Sequence, residues 1–232
     1  MRVFHYMESD AYEALRKVGH IVGSPEHSVF NDNDQFVSAY GWLADRMARR
    51  IGPAPAHCNP RWPVFGWAEH NGQSALEYDR LRELPGHDDT TDAPFLVGFD
   101  VPEGLYLLSD FDDWHFVLNG WFLPSCGSDV EDDGGETDAF YALCESHGYD
   151  RTCAPGPAGP ADAVETMRRS NWDRIIEYPN QYGSVQASMW ELRWDWAFLV
   201  KARRDAAILK SNSVVKCSVK TDTLATQLEI QS

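Results

Sequence analysis

Alternating and helical spacings of apolar residues divide the chain into short strands and amphipathic helices. Residues 2–6, Arg-Val-Phe-His-Tyr, read as a first strand. Ser9 is expected to cap a helix with Tyr12, Leu15 and Val18 on one face, stopped by Gly19. A second helix is predicted from Asn33 or Asp34 to Ile51, because Phe36, Val37, Tyr40, Leu43, Ala44, Met47 and Ile51 recur at helical spacing and Gly52-Pro53 ends the run. Arg46, Arg49 and Arg50 then fall mostly on its wetter side. Strands are expected at 63–69 and 95–101, with a turn at Pro102-Glu103-Gly104 and a further strand at 105–108. Ser109 is expected to cap the next helix, with Asp112 completing a capping box and Trp114, Val117 and Leu118 forming its apolar face.

The pattern then changes. Residues 125–162 hold an acidic stretch and Ala154-Pro155-Gly156-Pro157-Ala158-Gly159-Pro160, and read as an insertion-like excursion with one short helix at 139–144, dispensable for folding. Order is expected to return with a helix at 163–169, a turn at 170–176 and a strand at 185–192 whose period is imperfect. Beyond Arg204 the chain is rich in Ser, Thr and Lys, so the tail frays or adds an edge strand. The fold class that follows is α+β: a mixed or antiparallel sheet with flanking helices in a single domain over 1–204, interrupted at 125–162 and followed by a polar tail at 205–232.

Composition sharpens this only in places. At 232 residues, with 43% hydrophobic and 12% aromatic content, the chain has ample material for a packed core. No window of about eighteen apolar residues occurs, and the opening lacks the long apolar stretch of a secretory signal, so a cytoplasmic protein with no membrane association is expected. Five scattered cysteines without a C-x-x-C pair argue against a disulfide framework and a zinc knuckle. Residues 70–166 contain 21 Asp plus Glu and 3 Arg, a local net of −18 against −16 for the whole chain. Such a surface is wrong for phosphate, so direct nucleic-acid binding is not expected. It is either a solvated acidic face or a surface for a basic protein partner.

Three stretches stand out by their residue types: Trp62-Pro63-Val64-Phe65-Gly66-Trp67, the run Leu108-Ser-Asp-Phe-Asp-Asp-Trp-His-Phe-Val-Leu-Asn119, and Val185-Gln-Ala-Ser-Met-Trp-Glu-Leu192. Together with the first strand and helix they resemble a bacterial and viral domain-of-unknown-function family, number 3841, over positions 2 to about 201. More distantly, the order of elements is similar to ADP-ribosyltransferase-like folds. That likeness implies NAD as a substrate, held by His5 and its neighbour Tyr6 on the first strand, with Gln186 and Glu191 near the scissile bond on a late strand. A Gln in place of the usual Glu can position a ribose hydroxyl but supplies no charge to an oxocarbenium-like centre. Glu191, five residues on, points to the opposite face of a regular strand unless a bulge intervenes.

Asp110, Asp112 and His115 are candidates for an acid/base cluster lining the cleft, since Asp112 and His115 are three apart on one helix. The same three residues equally suit a capped helix start, and His5 equally suits a hydrogen-bonded core position. His57 and Cys58 lack a second ligand pair nearby in sequence, and no metal is expected. No P-loop, G-x-S-x-G or G-x-G-x-x-G occurs. The functional expectation is an ADP-ribosyltransferase-like protein that binds or consumes NAD. The alternative is an acidic, non-catalytic interaction protein.

Overall fold

A computed structural model describes residues 1–27, 33–70, 73–74, 95–127, 133–149, 163–179, 183–202 and 215–216. In chain order the elements are β1 (Arg2–Met7), α1 (Ser9–Val18), β2 (His20–Val22), α2 (Asp34–Arg50), β3 (Val64–His70), β4 (Gln73–Ser74), β5 (Phe95–Asp100), β6 (Leu107–Asp110) and α3 (Phe111–Leu118). They continue with α4 (Glu136–Ser146), α5 (Ala163–Trp172), α6 (Arg174–Glu177), β7 (Val185–Met189), β8 (Glu191–Arg193), β9 (Ala197–Ala202) and β10 (Val215–Lys216). The main sheet runs β10-β9-β5-β1-β3-β7-β6, with β4 beside β3, and every described strand pair is antiparallel. β2 and β8 form a separate two-stranded ribbon. This is an α+β domain with an antiparallel sheet.

Strand alternation divides the main sheet into two faces. Val3, Met7, Val97, Phe99, Ala187 and Met189 point to the back, where Leu15 of α1 packs. Phe4, Trp67 and Leu96 point to the front, and so does Phe65, which meets Tyr40 of α2 and Trp114 of α3. The front core continues through Trp42, Leu43 and Met47 of α2 to Trp172 and Ile175. Each such buried side chain contributes about 1.5–3 kcal/mol. These contacts fix where α2 and α3 stand over the sheet.

Several helix boundaries differ from expectation by a residue or two. Ser9 lies inside α1, the cap position is Glu8, and Val18 is exposed rather than facing the core. Gly19 does end the helix, in the left-handed conformation that glycine adopts without strain (φ 87°). Asn33 caps α2, its side chain accepting from the Gln35 and Phe36 amides. Arg46 is half-buried and bonds Asp173 across the helix layer. Ser109 is the penultimate residue of β6, and Asp110 caps α3 instead, its carboxylate accepting from the amides of Asp112 at 2.9 Å and Asp113 at 3.0 Å. The expected turn at 170–176 is the end of α5 followed by the short α6.

The segment read as an insertion carries more structure than its composition suggests. Its helix, α4, spans Glu136–Ser146, and it buries Phe140 and Cys144 completely against Phe122 and Val164. Phe140 stacks on Phe122 with ring centroids 4.4 Å apart. On the other side Arg168, itself fully buried, lies over the Phe140 ring and pairs with Glu165 at 3.1 Å. Removing the segment would therefore strip cover from Phe122 and Val164. Cys144 is held in a disulfide, which the scattered spacing of the cysteines did not suggest, while Cys58 and Cys126 are not disulfide-bonded. Residues 129–132 of the acidic stretch, all of the Pro/Gly stretch, and the tail apart from β10 lie outside the described residues. Among the described residues no helix is long and apolar enough to cross a membrane.

Candidate functional site

Pairing across the sheet places four front-face residues in a row: Phe4 opposite Trp67, Trp67 opposite Gln186, and Gln186 opposite Ser109. Ser109 leads directly into Asp110 and the first turn of α3. That turn sets Phe111 edge-on against Trp67, with centroids 4.7 Å apart, and His115 against Phe111 at 4.8 Å. Tyr6 packs on the same cluster. The oxygens of this row are distinctive. Ser109 Oγ, Gln186 Oε1 and, two residues further along β7, Ser188 Oγ are buried and have no hydrogen-bond partner. Each such group costs about 1–3 kcal/mol when left unsatisfied, and these three share one face of the neighbouring strands β6 and β7.

Of the residues expected at a site, this cluster gathers Tyr6, His115 and Gln186, while Asp110 pairs with Val185 and caps α3, with Asp112 in the first turn of that helix. His115 meets Asp112 through the helix backbone, its Nδ1–H donating to the Asp112 carbonyl at 3.2 Å. Asp110 spends one carboxylate oxygen on the cap. His5 is not in the cluster. It pairs with Val97, whose side chain belongs to the back core, so it points away from Gln186. Its Nδ1–H donates to the Phe65 carbonyl at 2.6 Å, and burial lowers its pKa, so it stays neutral at physiological pH.

Glu191 is absent from the cluster too. The apolar run 185–192 breaks at Trp190: β7 stays in the main sheet while β8 joins the ribbon. This accounts for the imperfect period of that segment. In the ribbon Ile21 opposes Leu192, and both turn toward the back core. His20 and Val22 of β2, and Glu191 and Arg193 of β8, share the other side by alternation. Residues 52–63 pass over that side and bring His57 to Glu191, with His57 Nε2 2.9 Å from Glu191 Oε2. The His20 and His57 rings lie 4.7 Å apart.

The passing segment is pinned at both ends. The indole N–H of buried Trp190 donates to the Gly52 carbonyl at 2.9 Å, and Trp62 is buried against Tyr40. Gly23, just after β2, sits so close to the Trp62-Pro63 backbone that a Cβ there would lie 2.1 Å from the Trp62 carbonyl oxygen. Cys58 is buried beside the group, and burial together with the Glu191 charge pushes its thiol up to about 11. Arg193 stands 4.0 Å from Glu191 but is oriented by Asp195, which it contacts at 3.0 and 3.1 Å.

The profile of the family described as Domain of unknown function (DUF3841) matches residues 2–198. The chain belongs to this family. The matched span includes both the front-face cluster and the ribbon group, so each lies in the part of the chain that defines a DUF3841 protein. No curated protein and no solved structure matches the chain. Within this DUF3841 domain, His20, Trp67 and Phe111 went unassigned in the sequence and His57 was set aside for want of nearby ligands. Trp67 and Phe111 do fall inside two of the distinctive stretches, which is a signal for them. His20 and His57 have none, because His57 and Glu191 are 134 positions apart.

Proposed function

We propose that the chain binds NAD, seating its nicotinamide or adenine ring against the front-face aromatic cluster. The observation that carries this reading is the pair of buried, unpartnered oxygens, Gln186 Oε1 and Ser109 Oγ, opposite one another beside the Trp67–Phe111–His115 rings. A carboxamide or an exocyclic amine supplies the N–H donors that Gln186 Oε1 lacks, and a planar ring stacks on or against the aromatic side chains. Tyr6 borders the same cluster. The distant likeness to ADP-ribosyltransferases belongs with this reading as far as binding goes. For consumption of NAD it gives less, since Gln186 is uncharged and Glu191 stands in the ribbon.

The test is thermal denaturation and calorimetry of the full chain with NAD, ADP-ribose and nicotinamide, with released nicotinamide measured in parallel. Saturable binding of NAD that disappears in Gln186→Leu is the expected result. Absence of binding by all three compounds overturns the reading. The second reading, capture of a basic protein by the acidic region at 70–166, draws on its local net charge of −18. It predicts a partner released by salt, because screening shortens the reach of exposed charges.

A further inference from the structure

We infer that His20, His57 and Glu191 form a binding site for a single divalent transition-metal ion of the zinc class. Their donor atoms all lie within 4.8 Å of one another. Ligands around a tetrahedral ion at about 2.1 Å stand about 3.4 Å apart, so an ion is admitted once the His57–Glu191 pair opens slightly from 2.9 Å and the wider separations in the group close. Two imidazoles and one carboxylate suit zinc, iron(II), cobalt(II) or nickel(II) better than magnesium or calcium, which prefer oxygen alone. Three protein ligands leave at least one position for water, as catalytic rather than structural metal sites do.

The group is held for this purpose by more than chance proximity. His20 and Glu191 lie diagonally across a paired ribbon whose other side is anchored by Ile21 and Leu192 in the core. His57 is brought over them by a segment that Trp190 and the Gly23 contact hold in place. Solvent reaches it: the His57 side chain is 47% exposed and Glu191 15%. The nearby cation, Arg193, is balanced by Asp195, which leaves the Glu191 charge to attract an ion. Without metal, the 2.9 Å His57–Glu191 hydrogen bond occupies the same atoms. Metal therefore displaces a proton from that bond. Cys58, although next to His57 in the chain, is not among the converging donors.

The experiment is a titration of untagged, chelator-treated full chain with zinc by calorimetry and with cobalt by visible absorption, in the wild type and in His20→Ala, His57→Ala and Glu191→Gln. Expected are one equivalent of zinc, a higher melting temperature, and at least about a hundredfold weaker binding in each variant. The cobalt spectrum should show nitrogen and oxygen ligands without an intense thiolate band. A wild type that binds no zinc, or zinc binding unchanged in the three variants, overturns the site. A strong thiolate band does so as well, by moving the ion to cysteine, and this arm stands even if a variant fails to fold.

Discussion

The front-face cluster and the ribbon group are both polar constellations in one domain, built in opposite ways. In the cluster, strand register brings side chains together inside a dry aromatic setting, and the oxygens of Ser109, Gln186 and Ser188 are left without partners. In the ribbon group, His57 pairs with Glu191 and Arg193 with Asp195 at a half-exposed edge. The first arrangement is costly to the fold and is offset only when a shaped ligand brings its own donors. The second costs little when empty and suits an ion, which needs convergent lone pairs more than a pocket. Stability and binding should therefore respond to mutation in opposite proportion at the two places.

The largest effect is expected at Gly23, the support of the ribbon group. A methyl there meets backbone at 2.1 Å, and Gly23→Ala should cost about 2–3 kcal/mol in urea unfolding while loosening the segment that carries His57. Unchanged stability would mean that residues 52–63 shift freely, and the ribbon group would not be preorganised. Acid should produce the next effect, in the sheet itself. Burial holds the folded pKa of His5 below its ordinary value, so the unfolded chain takes up a proton first as pH falls. Stability from this group is complete above the ordinary histidine range and is lost as pH drops through the folded value. Unfolding curves between pH 8 and 5 should flatten in part in His5→Gln, and a slope identical to wild type would remove His5 from the account.

A smaller change of opposite sign is expected at Gln186. Replacing it with Leu removes a buried acceptor that has no partner, and should raise stability by about 1 kcal/mol while abolishing any response to NAD. A clear loss of stability would show that Gln186 is a structural residue. The smallest effect belongs to His57→Ala. Because that side of the pair is 47% exposed, stability should move by less than about 0.5 kcal/mol, although the zinc response disappears. A large loss of stability would turn the ribbon group into a structural clasp and erase the contrast with the cluster.

How far the site could be read in advance follows the range of the forces involved. Asn33 and the apolar spacing after it announce α2, because capping and amphipathic periodicity act within a few residues. The apolar runs at 63–69 and 95–101 announce β3 and β5 for the same reason, and with them the α+β class. The position of Gln186 on a late strand was legible too. Its neighbours were not, since a residue's face in a sheet depends on register, and register is set by pairing with β3 and β6, about 119 and 77 positions away in the chain.

Local pattern alone thus determined α1 to α3, β1, β3 and β5, the acidity and the distinctive stretches, while β2, β9 and α6 went unmarked. Only the tertiary structure decided that His5 turns from Gln186, that Trp190 ends β7 so that Glu191 enters another sheet, and that α4 buries Phe140 and Cys144. It also decided that His20, His57 and Glu191 meet. Propensity, capping and periodicity are short-range and leave marks in neighbouring residues. A cluster of donors is made by chain segments that are neighbours only after the core has closed, and no local spacing records it.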